Sequence, residues 1–162
     1  MRHHLIWASA TLALVLGAGS GCGSTTTTAT SSPAGTCVNA SAPHRAYIVV
    51  EHLSGATTQK CVGFSTDTID GQSLMDTSKI EYQAQTFSFG KAVCQVDNEP
   101  KTFDKCFPTN QPYWALFVET NGTWAQAANG YTQLALHDKD AIGWHYVQPA
   151  DPSPAPPPPA KE

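Results

Sequence analysis

The side chains that could do covalent or acid–base chemistry are few, and nothing in their spacing sets them beside one another. Beyond the first residues the histidines are His44, His52, His137 and His145. His145 follows Trp144 in a strand-like run, so it points to the opposite face from that ring and reads as an exposed or hydrogen-bonded histidine rather than a base. His137 and Asp138 stand in a turn-like stretch, where an aspartate bonds its own backbone. Glu81, Glu99 and Glu119 are carboxylates suited to acid and base work, but no spacing pairs one with an Asp. Gly-x-Ser-x-Gly, His-Glu-x-x-His and phosphate-cradling glycine loops are all missing from the sequence. The expectation is a non-enzymatic chain with no catalytic residue and no cofactor.

Cysteine is the other reactive type. The chain has five, an odd number for an exported protein, and setting Cys22 aside leaves Cys37, Cys61, Cys94 and Cys106. No Cys-x-x-Cys or paired Cys/His spacing is present, so a metal site is not expected. Four cysteines allow three pairings. Cys37 with Cys61 and Cys94 with Cys106 is the favoured one, because each bridge closes a local loop across neighbouring elements.

Aromatic side chains carry the remaining candidate site. Tyr113 to Val118 and Thr123–Trp124 flank Asn121–Gly122, the strongest short hairpin signal, since a type I′ turn needs positive φ at both central residues. That turn sets Glu119 opposite Trp124 and Thr120 opposite Thr123. Both faces of the hairpin are apolar, which predicts one against the core and the other covered or used. Trp114, Trp144 and Tyr146 read as core. Tyr113 and Trp124, near the hairpin's ends, Glu119 beside Trp124, and Phe87 with Phe89 on one face are the candidate ligand-binding residues.

The elements that must position these residues lie in one domain, from about 37 to 148. The β-rich run 46–53 pairs with 60–64, Asp70 caps a short helix ending at Ser78 with Leu74 and Met75 inward, and 86–89 with 92–96 flank Gly90–Lys91 as a second hairpin. Residues 97–108 form a looped excursion, 132–136 a further strand and 142–147 the last. Many short strands and one helix give an α+β, mainly β fold, a small domain of antiparallel hairpins stapled by disulfides.

Disordered tails are expected on both sides. Residues 1–22 read as an export signal with basic Arg2, His3 and His4, an apolar run too short for a membrane span, and small residues before Cys22. That order resembles a bacterial lipoprotein signal, which implies lipidation of Cys22 and a place on the outer face of the membrane or at the cell surface. Gly19 stands where such signals carry an aliphatic residue, so cleavage near Ser20 and secretion is the alternative. Residues 23–36 are a Ser/Thr-rich tether, and 149–162 a Pro-rich segment that favours extended chain without a core and reads as a spacer. With a net charge of −4 and no basic patch among aromatics, nucleic acid is not an expected partner.

The order of the pieces Gly90-Lys91-Ala92-Val93-Cys94-Gln95-Val96-Asp97, Asp104-Lys105-Cys106-Phe107, Tyr113-Trp114, Asn121-Gly122-Thr123-Trp124, Gly130 and Asp138 to Tyr146 resembles a family of secreted bacterial domains of unknown function. That family is related to the β-domain that closes over the ligand in transcobalamin and intrinsic factor. The resemblance spans about residues 37 to 148 and implies a ligand-binding β-domain, though without the large α-domain that holds the other side of cobalamin. Two functions are carried forward. One is a surface-anchored module capturing a small ligand such as a corrinoid for a transporter, and the other is an envelope protein-interaction domain without a small-molecule ligand.

Overall fold

The computed structural model describes residues 37–149 and 151–162. The stretch expected to be an export signal, Cys22 and the Ser/Thr-rich segment lie outside the described residues. Among those described are nine strands, one α-helix and one 3₁₀ turn, an α+β and mainly β fold. No helix among them is long and apolar enough to cross a membrane.

The centre is a five-stranded sheet in the order β2-β1-β9-β6-β7. Strands β1 (His44–Glu51) and β2 (Thr57–Phe64) form an antiparallel pair with Tyr47 opposite Cys61. Strand β6 (Tyr113–Thr120) turns into β7 (Thr123–Gln126), with Glu119 opposite Trp124 and Thr120 opposite Thr123 as the turn residues require. Asn121 at φ 52° and Gly122 at φ 73° supply the two positive values of the type I′ turn. The last strand, β9 (Ala141–Val147), enters between the two hairpins, parallel to β1 and antiparallel to β6. Placed there, it is buried along nearly its whole length.

Alternation divides the sheet into two apolar faces. Ala46, Ile48, Val50, Trp114, Ile142, Trp144 and Tyr146 point inward to the main core. The helix α1 (Gly71–Ser78) covers that face with Leu74 and Met75, both fully buried. The short pair β3 (Ile69–Asp70) and β8 (Ala135–Leu136) and the hairpin β4 (Tyr82–Phe87) with β5 (Gly90–Val96) complete the layer. Tyr47, Ala115, Phe117, Ala141 and Val147 point outward, yet all are buried.

The covering of that outer face is residues 151–162. They form no helix or strand, as expected of proline-rich chain, but they do not stand off as the disordered spacer expected. Pro154 and Pro157 are buried and Ala160 half-buried, a spacing of three that matches one face of a polyproline II helix. Composition shows that such a segment has no core of its own. It does not show that another element's apolar face awaits the rings.

Two other expectations shift. Phe87 pairs with Gly90, so the second hairpin turns at Ser88–Phe89 and Gly90–Lys91 open β5 instead of forming the turn. Residues 132–136 are a 3₁₀ turn (Tyr131–Gln133) followed by the two-residue β8, because Tyr131 is drawn wholly into the core and the chain must bend to place it. Both disulfides join the expected partners, Cys37 to Cys61 and Cys94 to Cys106.

Asp70 caps α1 as the sequence suggests, accepting hydrogen bonds from the Ser73 backbone N–H at 2.9 Å and its hydroxyl at 2.7 Å. Those bonds, the backbone one first, hold its carboxyl below the usual carboxylate range. A depressed carboxylate stabilises the fold above its unfolded pKa, and that stabilisation is lost as pH falls through the folded value. Asp70→Ala should therefore cost about 1 kcal/mol near neutral pH. Urea unfolding should show the gap from the wild type closing below about pH 4.

Candidate functional site

The described residues hold an open cleft of about 230 Å³ between the first half of β6, the start of β5 and the loop after β7. Strand β7 pairs only with residues 117–120 of β6, and beyond it the Ala127 N–H reaches the Leu116 carbonyl, so residues 113–115, paired with β9 on their other edge, have no described strand beside them here and form one wall. Trp144 and Leu116 are among the apolar lining residues, and Lys91, Gln126 and Asn129 supply polar side chains. The indole Nε1 of Trp144 is buried without a hydrogen-bond partner in the protein.

Aromatic rings crowd this opening. Phe87 and Phe89 stack with centroids 5.2 Å apart and planes 6° from parallel, and Phe107 tilts against them at 5.5 and 6.2 Å. Tyr113 continues the series, 6.1 Å from Phe107. Phe89 is 39% exposed and Phe107 45%, so two large apolar rings face solvent side by side. The turn at Ser88–Phe89 delivers Phe89. Phe107 is held by its neighbour Cys106, which the disulfide ties to β5.

That excursion, residues 97–112, is fastened at further points. Gln95 on β5 donates to the Pro100 carbonyl at 2.6 Å, and Trp114 Nε1 donates to the Glu99 carbonyl at 2.9 Å. Glu99 also accepts from His52 Nδ1 at 2.6 Å, just beyond the end of β1. Glu99 and His52 thus have structural partners that position the loop. Among the described residues no group of three or more His, Cys, Asp or Glu side chains is placed to hold a metal ion.

The five candidate ligand-binding residues separate into two places. Tyr113, Phe87 and Phe89 meet in the ring cluster, and Phe89 and Tyr113 line the cleft. Glu119 and Trp124 lie on the outer face under the proline-rich segment. The Trp124 ring rests over Gly143, and Glu119, 6% exposed, accepts from the Ala160 N–H at 3.1 Å. Trp124 is therefore not an open stacking platform. Phe107, Lys91 and Asn129 are not among the ligand-binding candidates that the sequence offers. Only the cysteine beside Phe107 hinted that its loop is pinned.

Burial, followed by the negative charge of Glu162, pushes the phenol of Tyr47 up. Tyr47 shares its outer-face cluster with Trp124 and Ala160, which places the end of the proline-rich segment against the sheet a second way.

No family model matches the chain, and no curated protein matches it. Among solved structures, a candidate metal-binding protein from Ruminococcus gnavus is similar, with 15% identity and a TM-score of 0.49. The likeness covers 65% of this chain and 97% of that one. A likeness at that level transfers neither ligand nor activity.

Proposed function

We propose that the chain is a non-catalytic extracytoplasmic binding module, held at the membrane through a lipid on Cys22, that captures a small amphipathic ligand at the Phe89–Phe107–Tyr113 cleft. The observation that carries this reading is the exposed, mutually stacked ring cluster at the mouth of a preformed cleft with a few polar side chains in its lining. Rings held in contact before binding lose little freedom when a flat ligand lies on them.

The cleft is smaller than the roughly 300–1,000 Å³ of sites that enclose drug-sized ligands. A corrinoid, the ligand class suggested by the transcobalamin-like order of residues, would rest one edge on the rings and leave the rest outside. Affinity should then be micromolar or weaker, about 8 kcal/mol or less, unless a second protein or second copy closes over the ligand.

Calorimetric titration of cobalamin and simpler corrinoids into the purified protein is the test. Phe107→Ala should abolish the heat while costing about 1–2 kcal/mol of stability, since half of that ring is in solvent and half is packed on its aromatic neighbours. If the wild type gives no heat at millimolar corrinoid, the corrinoid reading fails. The same exposed rings then support the envelope protein-interaction domain.

A further inference from the structure

We propose that the outer face of the five-stranded sheet is a docking site for an extended proline-rich segment of a partner protein, and that residues 151–162 occupy it as an internal competitor. Those residues retrace β9 in reverse. Ala155 lies at His145, Pro157 over Gly143, Ala160 at Glu119, and Glu162 at Lys139.

The receiving surface is built for such a chain. A Cβ on Gly143 would fall 2.6 Å from the Pro157 ring and 2.8 Å from the Trp124 ring, so the missing side chain is what lets the proline seat in the middle of β9. Trp124 and Tyr47 supply the aromatic walls that proline-rich ligands use elsewhere. Between them, polar side chains bind the segment's main chain. His145 Nδ1 donates to the Ala155 carbonyl at 2.7 Å and Glu119 accepts from the Ala160 N–H. Gln59 makes a two-way amide pair with the backbone of Lys161, donating at 2.5 Å and accepting at 2.9 Å.

Besides main chain, these contacts involve two proline rings, one small residue and the Glu162 carboxylate, which accepts from Lys139 Nζ at 3.2 Å. Pro-x-x-Pro-x-x-Ala-x-Glu in extended conformation reaches all of these points. Ala155, Pro156, Pro158 and Pro159 face solvent and add nothing to the match. Polyproline chain is already extended, so a segment supplied by a partner loses little entropy on docking. The internal segment sets the threshold, because its tether gives it a high effective concentration that a partner must overcome.

The test uses the full chain carrying Pro154→Glu and Pro157→Glu, which frees the outer face, and two fluorescent peptides read by anisotropy. One has the sequence of residues 151–162. The other keeps only the two prolines, the alanine and the final lysine and glutamate at their spacing, with serine elsewhere. Both should bind the variant about tenfold or more tighter than the wild type, whose own segment competes. Adding Gln59→Ala should weaken both about threefold to tenfold through the lost amide pair, and Gly143→Ala should abolish both. Gln59 lies on the sheet's edge strand, so its variant remains informative if Gly143→Ala fails to fold. Binding of the native-sequence peptide alone would overturn the proposal in favour of a segment specific to this chain, exchanged within or between copies. Binding of neither would make it a structural strap only.

Discussion

Trp144→Ala should destabilise the domain by about 3–5 kcal/mol, the largest loss expected of any single substitution. Trp144 is 1% exposed on β9, the strand that joins the two hairpins into one sheet, with Val50 opposite it on β1 and Leu116 opposite on β6. Its ring meets that of Tyr131 edge-on at 5.8 Å, and Tyr131 is itself fully buried. Truncation therefore opens a hole at the junction of sheet, 3₁₀ turn and cleft, where strands held by pairing on both sides cannot close in. Domains of this size have only about 5–15 kcal/mol of net stability, so the loss is a large fraction of the whole. Trp144→Phe should cost much less, because it keeps most of the ring and removes an N–H that has no protein partner. Urea unfolding of both variants checks the pair. Equal losses would show that the indole N–H, not the filled volume, is what matters there.

What the sequence disclosed was local. The Asn121–Gly122 turn and the Asp70 cap depend on residues within a few positions of one another, and both appear where the pattern sets them. The disulfides followed from the same logic, each joining neighbouring elements. Sheet order was not legible, because the insertion of β9 between β1 and β6 is decided by packing between segments nearly a hundred residues apart. Two apolar faces on β6 announced that something covers the outer side. They could not name the proline-rich segment, whose backbone has no internal hydrogen-bond pattern to betray a fixed place. The same limit split the candidate site. Trp124 and Tyr113 share a strand face by period, but only the structure shows that one lies with Pro157 at Gly143 while the other borders the cleft.

Removing the disulfides one at a time should separate stability from binding. On the chain-entropy account, Cys37–Cys61 closes a span of 24 residues and Cys94–Cys106 one of 12. Replacing either pair with serine should then cost about 3 kcal/mol, slightly more for the longer span. The consequences for the site differ. Cys37–Cys61 ties the start of the domain to β2, where Val38 already exchanges backbone hydrogen bonds with Cys61 and Gly63, and the ring cluster stands elsewhere. Cys94–Cys106 fixes the residue next to Phe107. Without it the excursion keeps its hold at Pro100 and Glu99, but nothing comparable anchors 106–107 against β5. Losing the first bridge should lower the unfolding midpoint and leave ligand heat unchanged at a temperature where the variant stays folded. Losing the second should lower the midpoint by nearly as much and also remove the heat, the outcome expected of Phe107→Ala. If both variants bind like the wild type, Phe107 is held by its ring contacts with Phe87, Phe89 and Tyr113, and the bridge serves stability alone.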